Sequence, residues 1–123
     1  MSGFLDGALR AHAEGDLCAE AAAGLLIAGR WADRDDFASR FITMTASPGS
    51  GTRMAVVDWP AAAAALGTAL PCSGGERRLL QVTASLAAGI PVDLRDAVAG
   101  LDGRNARLLA DAVLRASGHR GMR

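Results

Sequence analysis

The chain has 123 residues, 50% of them hydrophobic and 21% charged, which suits one globular domain with its own core rather than a disordered or fibrous chain. Its two cysteines exclude a disulfide scaffold, and its longest apolar run, residues 21–28, falls far short of the ~20 residues that cross a bilayer. The formal net charge is zero but polarised: residues 1–71 carry five Arg against eight acids, and residues 72–123 carry eight Arg against five. All 13 basic residues are Arg, with no Lys and no Tyr, a usage that matches a high-GC genome.

In chain order, Phe4, Leu5, Ala8, Leu9 and His12 recur at helical spacing, so a first helix is expected over residues 3–14, stopping at Gly15. The start of the chain has no basic region ahead of an apolar core, so a secretory signal is not expected and a cytoplasmic setting is. Asp16 can cap a second helix that is apolar on nearly every side, as buried central helices are. Gly29 should end it. Asp33 and Asp36 form a cap-like pair ahead of Phe37 and Phe41 in a third helix. The runs FITMT and TRMAVV flank the turn-forming ASPGSG, which predicts a hairpin, or a single strand if the third helix runs on to Met44. Asp58 then opens a fourth helix, with Pro60 in its first turn.

The most complete local signal lies between residues 70 and 89. Ser73 and Glu76 have the spacing of a capping box, and Leu79, Val82 and Leu86 follow as an apolar stripe. Gly89 with Ile90 and Pro91 fits a Schellman-type stop. Asp93 and Asp96 repeat the cap pattern ahead of Leu94, Ala97, Val98 and Leu101. Asp102 starts a last helix, with Leu108, Leu109, Ala112, Val113 and Ala116 facing inward. On its outer side Arg107–Asp111 and Asp111–Arg115 are spaced as i,i+4 pairs. The expected fold is thus a mainly α, single-domain bundle over residues 1–123. It has five or six short helices, a small β-hairpin or single strand near residues 42–57, and a frayed tail at 118–123.

The residues that could carry chemistry are few. Ser73, Gly74 and Gly75 at a helix start, with Arg77 and Arg78 nearby, could hold an anion, although Glu76 competes for the same backbone donors. Arg104, Arg107 and Arg115 make a basic face on the last helix, interrupted by Asp111. Cys72 sits just ahead of a helix, where a thiol can become acidic, but a nucleophile needs a base and the two histidines, His12 and His119, lie near the termini. His12 is expected as a partly buried structural side chain. No ligand spacing marks a metal site, and no cofactor is expected.

The run Ser73-Gly74-Gly75, with Gly100-Leu101-Asp102 downstream, resembles the end of an ABC-type ATPase domain, where a Ser-Gly-Gly signature opens a helix. A chain without Lys cannot complete a Walker A loop, and residues 90–97, IPVDLRDA, do not end in the Asp-Glu of a Walker B strand. ATP hydrolysis is excluded, and the local likeness is coincidental. The D-W-P-A-A segment at 58–62, P-C-S-G-G-E-R-R at 71–78 and D-L-R-D-A at 93–97 together resemble small proteins of high-GC bacteria. That resemblance implies no activity. The sequence therefore points to a small non-enzymatic interaction or regulatory module that binds a protein partner or a second copy through a helical face, with no membrane partner. Two alternatives stand beside it: a DNA-associated regulator using the basic C-terminal helix, and a small enzyme centred on Cys72 and Ser73.

Overall fold

The structure is a computed structural model that describes residues 2–66 and 68–119. Its helices are Ser2–Ala13 (α1), Leu17–Ala28 (α2), Asp35–Phe41 (α3), Trp59–Ala65 (α4), Gly74–Ala88 (α5), Leu94–Ala99 (α6) and Gly103–Ala116 (α7). A 3₁₀ turn, Trp31–Asp33, precedes α3, and strands Ile42–Ala46 (β1) and Arg53–Val57 (β2) lie between α3 and α4. The mainly α bundle with a small β-hairpin is as expected. The helices number seven among the described residues rather than five or six, because the six residues after Asp93 close a capped helix of their own.

Local chemistry accounts for most helix starts. The side chains of Asp16, Asp58, Asp93 and Asp102 each accept the backbone N–H three residues on, at 3.1, 3.2, 3.2 and 2.8 Å. At α5 the capping box is complete: Glu76 N–H donates to Ser73 Oγ at 3.1 Å, and Ser73 N–H donates to Glu76 Oε1 at 2.8 Å. Ser73→Ala is expected to cost about 0.5–2 kcal/mol in a urea titration, with a neutral result showing that Glu76 alone holds the helix start.

The start of α3 departs from expectation. Its cap position is Arg34, with no side-chain capping bond, while Asp33 pairs with Arg30 Nε at 2.9 Å and Asp36 accepts from Arg34. The cause is the burial of Trp31 and Ala32. Arg30 takes a left-handed conformation (φ 65°) and the 3₁₀ turn carries the tryptophan inward, moving the helix start past Asp33.

Two helix ends also differ from the sequence reading. Gly89, at φ 70°, closes α5 through a single bond from its N–H to Ser85 O at 2.9 Å, the simpler left-handed motif rather than the Schellman pair. The Schellman pair is found at α7 instead, where Gly118 N–H donates to Arg115 O (3.0 Å) and His119 N–H to Leu114 O (2.7 Å). The expected frayed tail thus begins in an ordered helix stop, and its residues 120–123 lie outside the described residues.

The hairpin is antiparallel, with Ile42 opposite Val57 and Ala46 opposite Arg53, and its turn is closed by Ser47 N–H to Thr52 O at 2.8 Å. Residue 42 starts a strand rather than extending α3. A sheet of two strands is marginal alone, and α1 packs across β2 to bury Ala55.

The core has two parts separated by α2 and α5. Leu26 and Leu80 face the first, with Trp31, Phe37, Phe41 and Leu70; Leu25, Leu79 and Val82 face the second, with Ala97, Leu109 and Ala112. This explains the all-round apolar character of α2, which has core on both sides. Several expected core positions are not buried. Val113, Leu94 and Val98 are exposed because α6 buries only Ala97 and α7 only Leu109 and Ala112, and His12, expected to be partly buried, is exposed on α1.

Candidate functional site

The first turn of α5 gathers Ser73, Gly74 and Gly75. Ser73 N–H, Glu76 N–H and Arg77 N–H are all taken by the capping box and the first helical bond, and the Glu76 carboxylate stands over the same turn. The two glycines have a packing use. A Cβ on Gly75 would stand 3.3 Å from Asn105 Nδ2 of α7, and one on Gly74 would stand 3.4 Å from Arg78 Nη1. Gly100 is tighter still, since a Cβ there would stand 2.9 Å from Arg78 Cζ. The residue lying against Gly74 and Gly100 is Arg78 rather than Arg77, and its Nε is buried with no hydrogen-bond partner among the described residues. Both arginines stand near this turn in the sequence, and the i+4 spacing from Gly74 is what puts the Arg78 side chain back over the helix start.

Cys72 is half-buried just ahead of this turn. Burial pushes its thiol pKa up and the Glu76 carboxylate adds to the rise, against smaller opposing effects of Arg34 and Arg77. Neither histidine hydrogen-bonds it: His12 is exposed on α1, and His119 Nδ1 lies 3.1 Å from Ser117 Oγ. Nucleophilic chemistry needs a depressed thiol pKa at working pH, and here the shift has the opposite sign. In iodoacetamide labelling, exposed Cys18 should react first. With Cys18→Ser as background, Cys72 should react slowly at neutral pH and accelerate only above the ordinary thiol range; an inflection below pH ~7 would restore the enzyme reading.

Arg34 and Arg40 were not singled out by the sequence, yet they hold the segment leading to Cys72. Arg34 Nη2 donates to Asp36 Oδ2 at 2.6 Å and to Pro71 O at 2.8 Å, and its guanidinium lies 4.6 Å from the centre of the Trp31 ring. Arg40 Nη1 donates to Ala69 O at 3.2 Å. The bond from Arg34 lowers the Asp36 pKa and raises that of Arg34.

The expected basic face on α7 is divided. Arg104 Nη2 donates to Ala28 O at 3.3 Å, and Arg115 Nη2 reaches Glu20 Oε1 at 3.4 Å, so both lean onto α2. Glu20 in turn accepts Gly15 N–H through its other oxygen at 3.0 Å. The predicted pairs of Asp111 with Arg107 and Arg115 do not form; Arg115 turns away to Glu20 of α2. Arg107 is exposed and makes no ion pair among the described residues.

No protein-family model, curated protein or solved structure matches this chain. Among the described residues no helix is long and apolar enough to cross a membrane, and no group of three or more His, Cys, Asp or Glu is placed to hold a metal ion. Four surface cavities of about 110, 260, 260 and 170 Å³ lie below the ~300–1,000 Å³ of ordinary small-molecule pockets.

Proposed function

We propose that this chain is a small non-enzymatic interaction module, cytoplasmic and regulatory in character, whose binding face is formed by α7 and the adjoining side of α2. The partner is a protein, either a different chain or a second copy. The observation that carries this reading is the groove between the two helices. Ala21, Leu25, Leu108 and Ala112 form its floor, Gly24 leaves one wall open, and Asp111 and Arg115 stand at its rim. A Cβ at Gly24 would meet nothing within 4 Å, so the groove has room beside the helix backbone for a partner's side chain. Apolar side chains ringed by charges of both signs suit a protein surface. Two cysteines that remain free thiols suit a reducing compartment.

A phosphate backbone would meet Asp111 in the middle of the face and two arginines already engaged with α2, which weighs against the DNA-binding alternative. The test compares wild type, Gly24→Arg, which fills the groove from α2, and a triple Arg→Gln variant at 104, 107 and 115. Crosslinking in nuclease-treated lysate should give a protein adduct that Gly24→Arg loses, with circular dichroism as the folding control. On duplex DNA across a salt series, wild type should bind weakly or not at all. Tight binding whose salt slope falls by about one unit per removed arginine would replace the protein-binding reading with the DNA one.

A further inference from the structure

β1 is a sheet edge without the usual protection. Its register with β2 continues one step at each end, where Asp58 N–H donates to Phe41 O and Ser47 N–H to Thr52 O, both at 2.8 Å. Opposed residues of an antiparallel pair alternate between exchanging both backbone bonds and exchanging neither. Phe41, Thr43, Thr45 and Ser47 therefore turn their backbone groups toward β2. Ile42, Met44 and Ala46 turn theirs to the opposite edge, where only Ile42 N–H has a described partner, Ala38 O. Natural edges are blunted by charge, proline, a bulge or a covering element. The segment ITMTA has no charge and no proline, its register runs without a bulge, and Thr43 through Ala46 are all exposed.

The side chains show the same gap. Met44 lies opposite Ala55 and so on the same side of the sheet, the side that α1 covers. Ala55 is 1% exposed there, but Met44 is 42% exposed, so the cover stops at the edge.

We infer that β1 pairs antiparallel with β1 of a second copy about a twofold axis at Met44, making a four-stranded sheet in the order β2-β1-β1-β2. The proposal rests on the reading of the chain as a binding module but uses a surface apart from α7. Self-pairing satisfies the edge in both directions: each Met44 N–H meets the other Met44 C=O, and each Ala46 N–H meets the other Ile42 C=O. Electrostatics favour a second copy over a charged foreign peptide. β1 offers no ion for such a peptide to pair with, while two uncharged strands meet with no like charges opposed. The nearest charged strand residue, Arg53, stays on the outer strand. The two Met44 side chains meet where the cover of α1 ends, and the sheet passes the three-strand threshold for independent stability. A five-residue contact is small, so the dimer is weak and concentration-dependent.

Sedimentation equilibrium of the full chain tests this. The mass should climb from 12.6 kDa toward twice that value between about 10 μM and 1 mM. Met44→Lys and Met44→Glu should each remain monomeric over that range, and their equimolar mixture should regain association, because opposite charges then meet across the axis. Met44→Pro removes a donor that points away from β2, so it should abolish the dimer while leaving the circular dichroism spectrum unchanged. A wild type that stays monomeric, a dimer kept by both charged variants, or a mixture that fails to associate would each overturn the proposal. Gly24→Arg should leave this dimer intact. Loss of the α7 adduct alone therefore tests the module face, and loss of association at Met44 alone tests the edge.

Discussion

Phe37→Ala is expected to destabilise the fold by about 3–5 kcal/mol, the largest loss from any single side-chain truncation in α3. Phe37 is 0% exposed and sits between two other rings, with centroids 5.5 Å from Trp31 and 5.4 Å from Phe41, both tilted. Its removal leaves a void where the 3₁₀ turn, α3 and Leu70 meet, and it breaks two aromatic contacts worth roughly 0.5–1.5 kcal/mol each. The surrounding backbone is tied down by Arg34 and Arg40, so the site has little freedom to collapse around the void. Urea denaturation followed by circular dichroism gives the value directly, and Phe37→Leu should recover a good part of it. A loss below about 1 kcal/mol would mean that the ring does not fill this junction.

Leu80→Ala is expected to cost about 2–5 kcal/mol and to exceed Leu86→Ala clearly in the same assay. Periodicity alone ranks these two the other way, because Leu86 continues the stripe of Leu79 and Val82 whereas Leu80 falls beside it. In the fold α5 has core on two sides. Leu80, 1% exposed, points into the first cluster with Phe37 and Leu70, while Leu86 is only half-buried at the margin of the second. Equal losses for the two variants would show that the clusters unfold with the same sensitivity along the whole of α5.

The amino-acid sequence by itself determined five of the helix starts and offered the hairpin as one of two readings. Asp16, Asp58, Ser73, Asp93 and Asp102 cap helices because a short polar side chain reaches a backbone N–H only three residues away, a geometry complete within one turn. The turn residues 46–51 between two β-rich runs pointed to paired strands, but only the packed structure decided that the strand starts at Ile42 rather than α3 running on to Met44, and in which register it pairs.

Tertiary structure decided everything that joins distant segments. Asp33 has the chemistry of a cap, but burying Trp31 moved the helix start past it. Arg115 has Asp111 one turn away and pairs instead with Glu20, which the fold brings up from α2. Arg78 finds its place against Gly100 only once α5 meets the end of α6, and the open edge at Met44 exists only because α1 covers β2 and stops short of β1. A cap depends on a few torsion angles within one turn. A long arginine chooses among partners whose positions depend on every packed element between them, and the exposed face of a strand depends on which helix happens to lie across it.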